Sequence, residues 1–230
     1  MTASQSALEL VLSGDPSLFA IVRLSLLVSL TATLFAALIG APLGALIALT
    51  RFPGREALIV IFNALMGLPP VVVGLAIYLL LSRSGPLGSL GLLFTPQAMI
   101  ITQTILVLPI IAALTRQTVE DLWVVYREEL AAMDVGPLRR ATTLLWDARF
   151  SLVTALLAGF GRAAAEVGSI IIVGGNIEGF TRTMTTSIAL ETSKGNLPLA
   201  LGLGVVLICI VATVNVLAWG VKRAGARFET

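Results

Sequence analysis

An arginine and a glutamate four residues apart, Arg162 and Glu166, are the only charges between Phe150 and Gly175. Helical spacing of four puts both side chains on one face, where they can pair. Charges inside an apolar segment are expensive and usually face the protein interior. Two roles are open for this pair: a static brace near the membrane interface, or a pore-lining or inter-subunit pair that passes the movement of a neighbouring loop into the helix. Ala163, Ala164, Ala165 and Gly168 beside it allow another helix to come close. Further on, Thr181-Arg182-Thr183-Met184-Thr185-Thr186 combines hydroxyls, a cation and a helix start. That set suits a doubly charged oxyanion, although the same residues serve equally as the N-cap of a surface helix. Earlier, Gly67-Leu68-Pro69-Pro70 interrupts an uncharged run and predicts a broken helix. Its freed carbonyls must face protein or a water-filled path; an ordinary proline kink is the alternative.

The chain also excludes chemistries. It has no Gly-x4-Gly-Lys-[Ser/Thr] run, so it cannot cradle nucleotide phosphates, and no acid/base cluster stands beyond Arg162 and Glu166. It has no histidine and one cysteine, Cys209, which leaves no His/Cys metal site and no internal disulfide.

Between Arg116 and Arg149 lie eleven charged residues inside an otherwise apolar chain. Such an island must sit in water. Small residues, Ala131, Ala132 and Gly136, stand among its charges at spacings that suit close docking against another protein. Glu129, Asp134, Pro137, Arg139 and Arg140 complete the expected docking surface. A helix is expected over about Thr118–Ala132 and a turn over Asp134–Pro137, with a second short helix from Pro137 to about Leu145.

This stretch resembles the cytoplasmic loop of ABC-importer permeases, whose pattern is roughly Glu-Ala-Ala, three residues, then Gly. Ala131, Ala132 and Gly136 fit; Leu130 stands where the glutamate is expected, with Glu129 one place early, and Leu145-Trp146 replaces a Leu-Pro pair. Ala148-Arg149, Gly161-Arg162, Glu166 and Gly168 resemble the corresponding run of molybdate and tungstate permeases. The segment from Val173 to Asn196 is most similar to the tungstate-uptake branch. The resemblance covers roughly Arg51 to the end. It implies a permease for tungstate or a related oxyanion such as molybdate or sulfate. It further implies a pair of such chains, two cytoplasmic ATPase subunits carrying ATP and Mg, and an extracytoplasmic binding protein. No cofactor is expected in the chain itself, and nucleic acid is not an expected partner.

The elements that must position these residues follow from composition. The chain has 230 residues, 57% hydrophobic and 12% charged, with a mean hydropathy of +0.99. A soluble domain carries about a quarter charged residues, so lipid must solvate much of this surface. Uncharged runs predict five spans: Leu24–Thr50, about 57–82, about 97–115, Phe150 to the Gly174-Gly175-Asn176 stop, and about 197–221. A short helix is expected after Thr183, ending at Lys194-Gly195. With five spans, Arg51, Arg55, Arg116, Arg127, Arg139, Arg140, Arg149, Lys222, Arg223 and Arg227 share one side, against Arg23, Arg83, Arg182 and Lys194 on the other. The excess predicts a cytoplasmic island and C-terminus and an external N-terminus. The expectation is therefore an all-α membrane protein of about five transmembrane helices, with a lead-in over 1–16, a transmembrane domain over 17–225 holding the coupling loop 116–149, and a tail over 226–230. A secondary transporter is the rival class, but it commonly shows internal repeats, and the two halves share none.

Overall fold

The computed structural model describes residues 16–226, all of whose regular structure is helical apart from turns. The expected lead-in up to residue 15 and the tail from residue 227 lie outside the described residues. The helices are α1 (Pro16–Leu49), α2 (Arg55–Met66), α3 (Pro70–Leu81), α4 (Pro96–Ala132), α5 (Pro137–Asp147), α6 (Arg149–Ala164), α7 (Gly168–Gly174), α8 (Met184–Ser193) and α9 (Leu197–Ala226). Four of them open on proline, which lacks the donor a first helical position cannot use. Gly175 and Gly195 follow α7 and α8 with positive φ, closing those helices as a side chain with a Cβ would resist.

Helices α1, α4 and α9 are long and apolar enough to cross a membrane; the broken pairs α2 with α3 and α5 with α6 also pass, which gives up to five crossings. The second expected span does break between Met66 and Pro70, with Pro69 extended at φ −64°, ψ 118°. Helix α4 carries the third expected span and the helix expected over about Thr118–Ala132 without a break, because the charged residues beyond Thr115 change what the helix faces without removing any backbone hydrogen bond. One expectation is corrected. The fourth span is not one helix to Gly174; it stops at Ala164 and restarts at Gly168.

The chain forms two compact units. Among the described residues, one comprises 16–32, 69–104 and 161–214; the other comprises 33–68, 105–160 and 215–226. In the first, α3 lies on α7 so closely that a Cβ on Gly74 would sit 2.7 Å from Ser169 Cα. Leu18, Met184 and Leu203 form its second apolar contact, joining α1, α8 and α9. In the second unit, Gly40 and Gly44 let α1 reach the backbone of α4; a Cβ on Gly40 would lie 3.1 Å from Leu108 O. Ala45, Ala48, Val119, Leu130 and Leu144 then form a core that seats α5. Glu120 binds Arg55 and Arg116 together, while Arg55 Nε donates to Ile47 O at 2.8 Å, tying the turn after α1 to α4.

Small residues at helix crossings thus set how near the backbones come. Gly74→Val should cost about 1–3 kcal/mol, since the obstructing atom is backbone and cannot rotate away. Gly204→Ala, whose Cβ meets nothing within 4 Å, should cost nothing. Unfolding of the two purified variants in detergent checks the difference.

Candidate functional site

The break between α6 and α7 gathers the polar groups of the first unit. Glu166 lies in the break itself and is buried. Its Oε2 accepts from Arg162 Nη1 at 2.8 Å, so the pair expected from the sequence exists. It does not lie along one helix: Arg162 is in the last turn of α6 and Glu166 is beyond its end. The other oxygen, Oε1, accepts from Ser169 N at 3.0 Å and Ser169 Oγ at 3.1 Å, so the carboxylate also secures the start of α7. Thr185 Oγ1 donates to Glu166 O at 2.8 Å. Gln103 Nε2, from α4, donates to Ala163 O at 2.9 Å. Gln103 was not singled out in the sequence; its signal is being a large amide within an uncharged run. Beside these groups lies a cavity of about 10 Å³, lined by Ser25, Gln103, Ala163, Glu166, Thr183 and Thr185 among others. It has room for a water-sized group and nothing larger.

The segment before α8 is bound into the same unit. Thr181 Oγ1 donates to Gly174 O and accepts from Ile177 N at 2.9 Å. Thr183 and Thr186 cap each other: Thr183 N donates to Thr186 Oγ1 at 2.9 Å and Thr186 N to Thr183 Oγ1 at 3.5 Å. Met184 N donates to Ser25 Oγ at 2.7 Å, fixing α8 to α1. Arg182 pairs with Glu178 at 3.4 Å. The hydroxyls of Thr181, Thr183 and Thr185 are therefore engaged by the chain, and the capping reading of this segment describes their geometry. Pro69 is exposed and Pro70 half-buried at the break before α3.

The second unit carries the charged island. Helix α4 ends at Ala132, and Asp134, at φ +49°, turns the chain into α5. Val135 N donates to Leu130 O at 3.3 Å across that turn. Glu129, Ala131, Ala132, Asp134, Gly136, Pro137 and Arg139 are all exposed. Arg140 is half-buried, with its guanidinium 5.8 Å from the Trp123 ring centroid. Leu144 and Ala148 fix α5 to the unit, while Met133, Leu138 and Trp146 remain 74%, 79% and 69% exposed. A Cβ on Gly136 would meet no atom within 4 Å, so nothing inside the chain requires glycine there. Apart from half-buried Arg140, the residues expected to dock thus form one continuous exposed turn and helix start. The sequence missed the three large apolar side chains that stand out among them, although α5 shows the pattern: buried positions at Leu144 and Ala148, open ones at Leu138 and Trp146.

No family model matches the chain. Individual relatives do. A probable anion ABC transporter permease protein of Haloferax volcanii is 42% identical over 217 residues, covering 92% of this chain and 90% of the relative. The tungstate uptake system permease proteins of Peptoclostridium acidaminophilum and Campylobacter jejuni are each 37% identical over 219 residues, covering 95% of this chain and 96% and 92% of the relatives. The chain belongs to the permease subunits of ABC transporters. The permease is accordingly a multi-pass protein of the cytoplasmic membrane, in keeping with its long apolar helices.

One carboxylate of the permease outside the crossing helices has a defined electrostatic setting. Glu191, near the end of α8, accepts from Lys194 Nζ at 2.9 Å and from Asn196 Nδ2 at 3.0 Å. The Lys194 bond, then the Asn196 bond, hold its carboxyl below the usual value of 4.5, against the opposing effect of burial. A carboxyl depressed on folding adds stability above its unfolded pKa and loses it as pH falls through the folded value. Glu191→Gln should therefore lower the unfolding temperature near neutrality, and the gap should close as pH drops below about 4.5. A gap independent of pH would contradict this.

Proposed function

We propose that the permease is the membrane-spanning subunit of an ATP-driven importer for tungstate or a similar oxyanion, working as a homodimer. Two cytoplasmic ATPase subunits supply ATP and Mg, a binding protein delivers the anion from outside, and lipid surrounds the helices. The chain itself performs no catalysis. The observation that carries the reading is the likeness to an anion permease and two tungstate uptake permeases over nearly the whole chain. The island supports it: Gly136 is small although nothing within 4 Å requires it, Ala132 is exposed, and Met133, Leu138 and Trp146 offer apolar anchors among charges that fix the register. The excess of arginine on that side supports a cytoplasmic island and an external N-terminus.

The transport path in this reading runs past the break at Pro69-Pro70 and the segment Thr181, Arg182, Thr183 and Thr185. Because the cavity at Glu166 admits only a water-sized group, the path opens by movement of these elements, and specificity resides in the binding protein. Arg162 and Glu166 would carry that movement, since Glu166 joins the end of α6 to the start of α7 and to Thr185.

Purified permease, ATPase and binding protein in lipid discs provide the test. Tungstate-loaded binding protein should stimulate ATP hydrolysis above molybdate and sulfate. Gly136→Arg should leave insertion intact and weaken ATPase association by at least about tenfold, as an unmatched charge in an interface does. The double variant Arg162→Gln, Glu166→Gln should assemble but lose stimulation; normal stimulation and uptake would reduce the pair to a brace. Equal stimulation by all three anions, or by none, would overturn the substrate assignment.

A further inference from the structure

At the end of the first unit that holds Arg182, a cavity of about 560 Å³ opens between the first turns of α1, the start of α9 and the segment around α8. It is separate from the small cavity at Glu166 and differs from it in chemistry. Its floor is apolar, with Leu24 and Leu27 from α1 and Leu199 and Leu203 from α9. Its rim is charged, with Arg23, Arg182 and Lys194 set against Glu178 and Glu191.

The rim is not neutralised from within. Glu191 is occupied by Lys194 and Asn196. Glu178 reaches Arg182 at 3.4 Å from a position that is itself 83% exposed, and Arg182 Nε is buried with no acceptor. Arg23 is exposed and has no ion-pair partner among the described residues. Among the described residues Arg23 thus lines the cavity without a counter-charge, and Arg182 keeps a donor that its contact with Glu178 does not use.

The floor continues along α1. Arg23, Leu27 and Leu30 follow at spacings of four and three, so they form one stripe, and both leucines are about half exposed, at 49% and 51%. Arg23 lies in the second turn of α1, near the end of a helix long enough to cross the membrane, at the depth where a cation meets headgroups. The stripe from Arg23 to Leu30 runs roughly 10 Å toward the hydrocarbon. A free oxyanion would satisfy the rim and leave the floor to water. An uncharged apolar molecule would cover the floor and leave the guanidiniums unpaired. A molecule with a phosphate at one end and an aliphatic chain at the other fits both.

We propose that this cavity binds an anionic phospholipid, its phosphate on Arg23 and Arg182 and one acyl chain over Leu24 and Leu27. The inference goes beyond the transport reading and needs only that α1 crosses the membrane, so its test reads lipid retention and not transport.

The full-length permease would be reconstituted in discs of equal parts phosphatidylglycerol and phosphatidylcholine, released, and the retained lipid counted by native mass spectrometry. Wild type should retain phosphatidylglycerol in preference. Arg23→Gln should reduce that preference by about fivefold, the effect of one cation at a membrane surface. Arg83→Gln removes an exposed cation that does not line the cavity and should leave the preference unchanged. Millimolar inorganic phosphate should not displace the lipid. Equal retention of the two lipids, an unchanged preference in Arg23→Gln, an equal fall in Arg83→Gln, or displacement by inorganic phosphate would each overturn the proposal.

Discussion

A helix that stops inside an apolar layer strands backbone donors and acceptors that lipid cannot satisfy. The permease stops one at Ala164 and restarts it at Gly168, and much of the first unit is arranged around that interruption. Glu166 takes the amide of Ser169, Gln103 supplies a donor to Ala163 O, and Thr185 supplies one to Glu166 O. Thr181 does the same for Gly174 at the far end of α7. Gly74 leaves room for Ser169 to stand where its amide meets the carboxylate. Ser25 holds Met184 N, and so keeps α8 where Thr185 can reach. Arg162 then compensates the charge that this scheme buries. A break held by side chains from four separate helices differs from one held by its own backbone. In the proposed function those side chains exchange partners and the irregular point in the span acts as a joint.

The second unit solves a different problem. Its charged residues must stay in water while its helices remain locked to an apolar body. Gly40 and Gly44 bring α1 against α4, and Glu120 gathers Arg55 and Arg116 where the apolar and wet parts meet. Leu144 and Ala148 hold α5 in place. What remains outside is a turn with small residues and three large apolar side chains, a surface that gains stability only by being covered. In the proposed function this is the element that a partner ATPase would push.

Much of this was legible in the sequence. Uncharged run lengths gave the apolar segments, Gly67 to Pro70 gave the broken pair, Pro137 gave the start of α5, and Gly175 and Thr183 marked a stop and a cap. Each is a local signal, carried by a residue whose backbone chemistry is restricted. The failures share a cause as well. The run Ala163-Ala164-Ala165-Glu166 favours helix at every position, and the helix nevertheless ends inside it, because the reward for ending comes not only from nearby Ser169 but from Gln103 and Thr185, both distant in sequence. The onset of charge at Arg116 marks the edge of the apolar layer along α4, and the helix runs on through the stretch expected to be helical up to Ala132. Glu120 was legible as a partner for Arg116 four residues away, but not as a partner for Arg55. In the segment expected to suit an oxyanion the hydroxyls bond to the chain itself, and that employment was not readable, since a hydroxyl that binds a ligand and one that caps a helix look alike in a sequence.

Side chains hold the break between α6 and α7, and amide hydrogen exchange of the permease in lipid discs tests that directly. Amides from Gly168 to Gly175 should exchange as slowly as those within α4, and Gln103→Leu should speed exchange there while leaving α4 and α9 unchanged. Fast exchange of the wild-type break, or a break indifferent to the loss of Gln103, would contradict the claim.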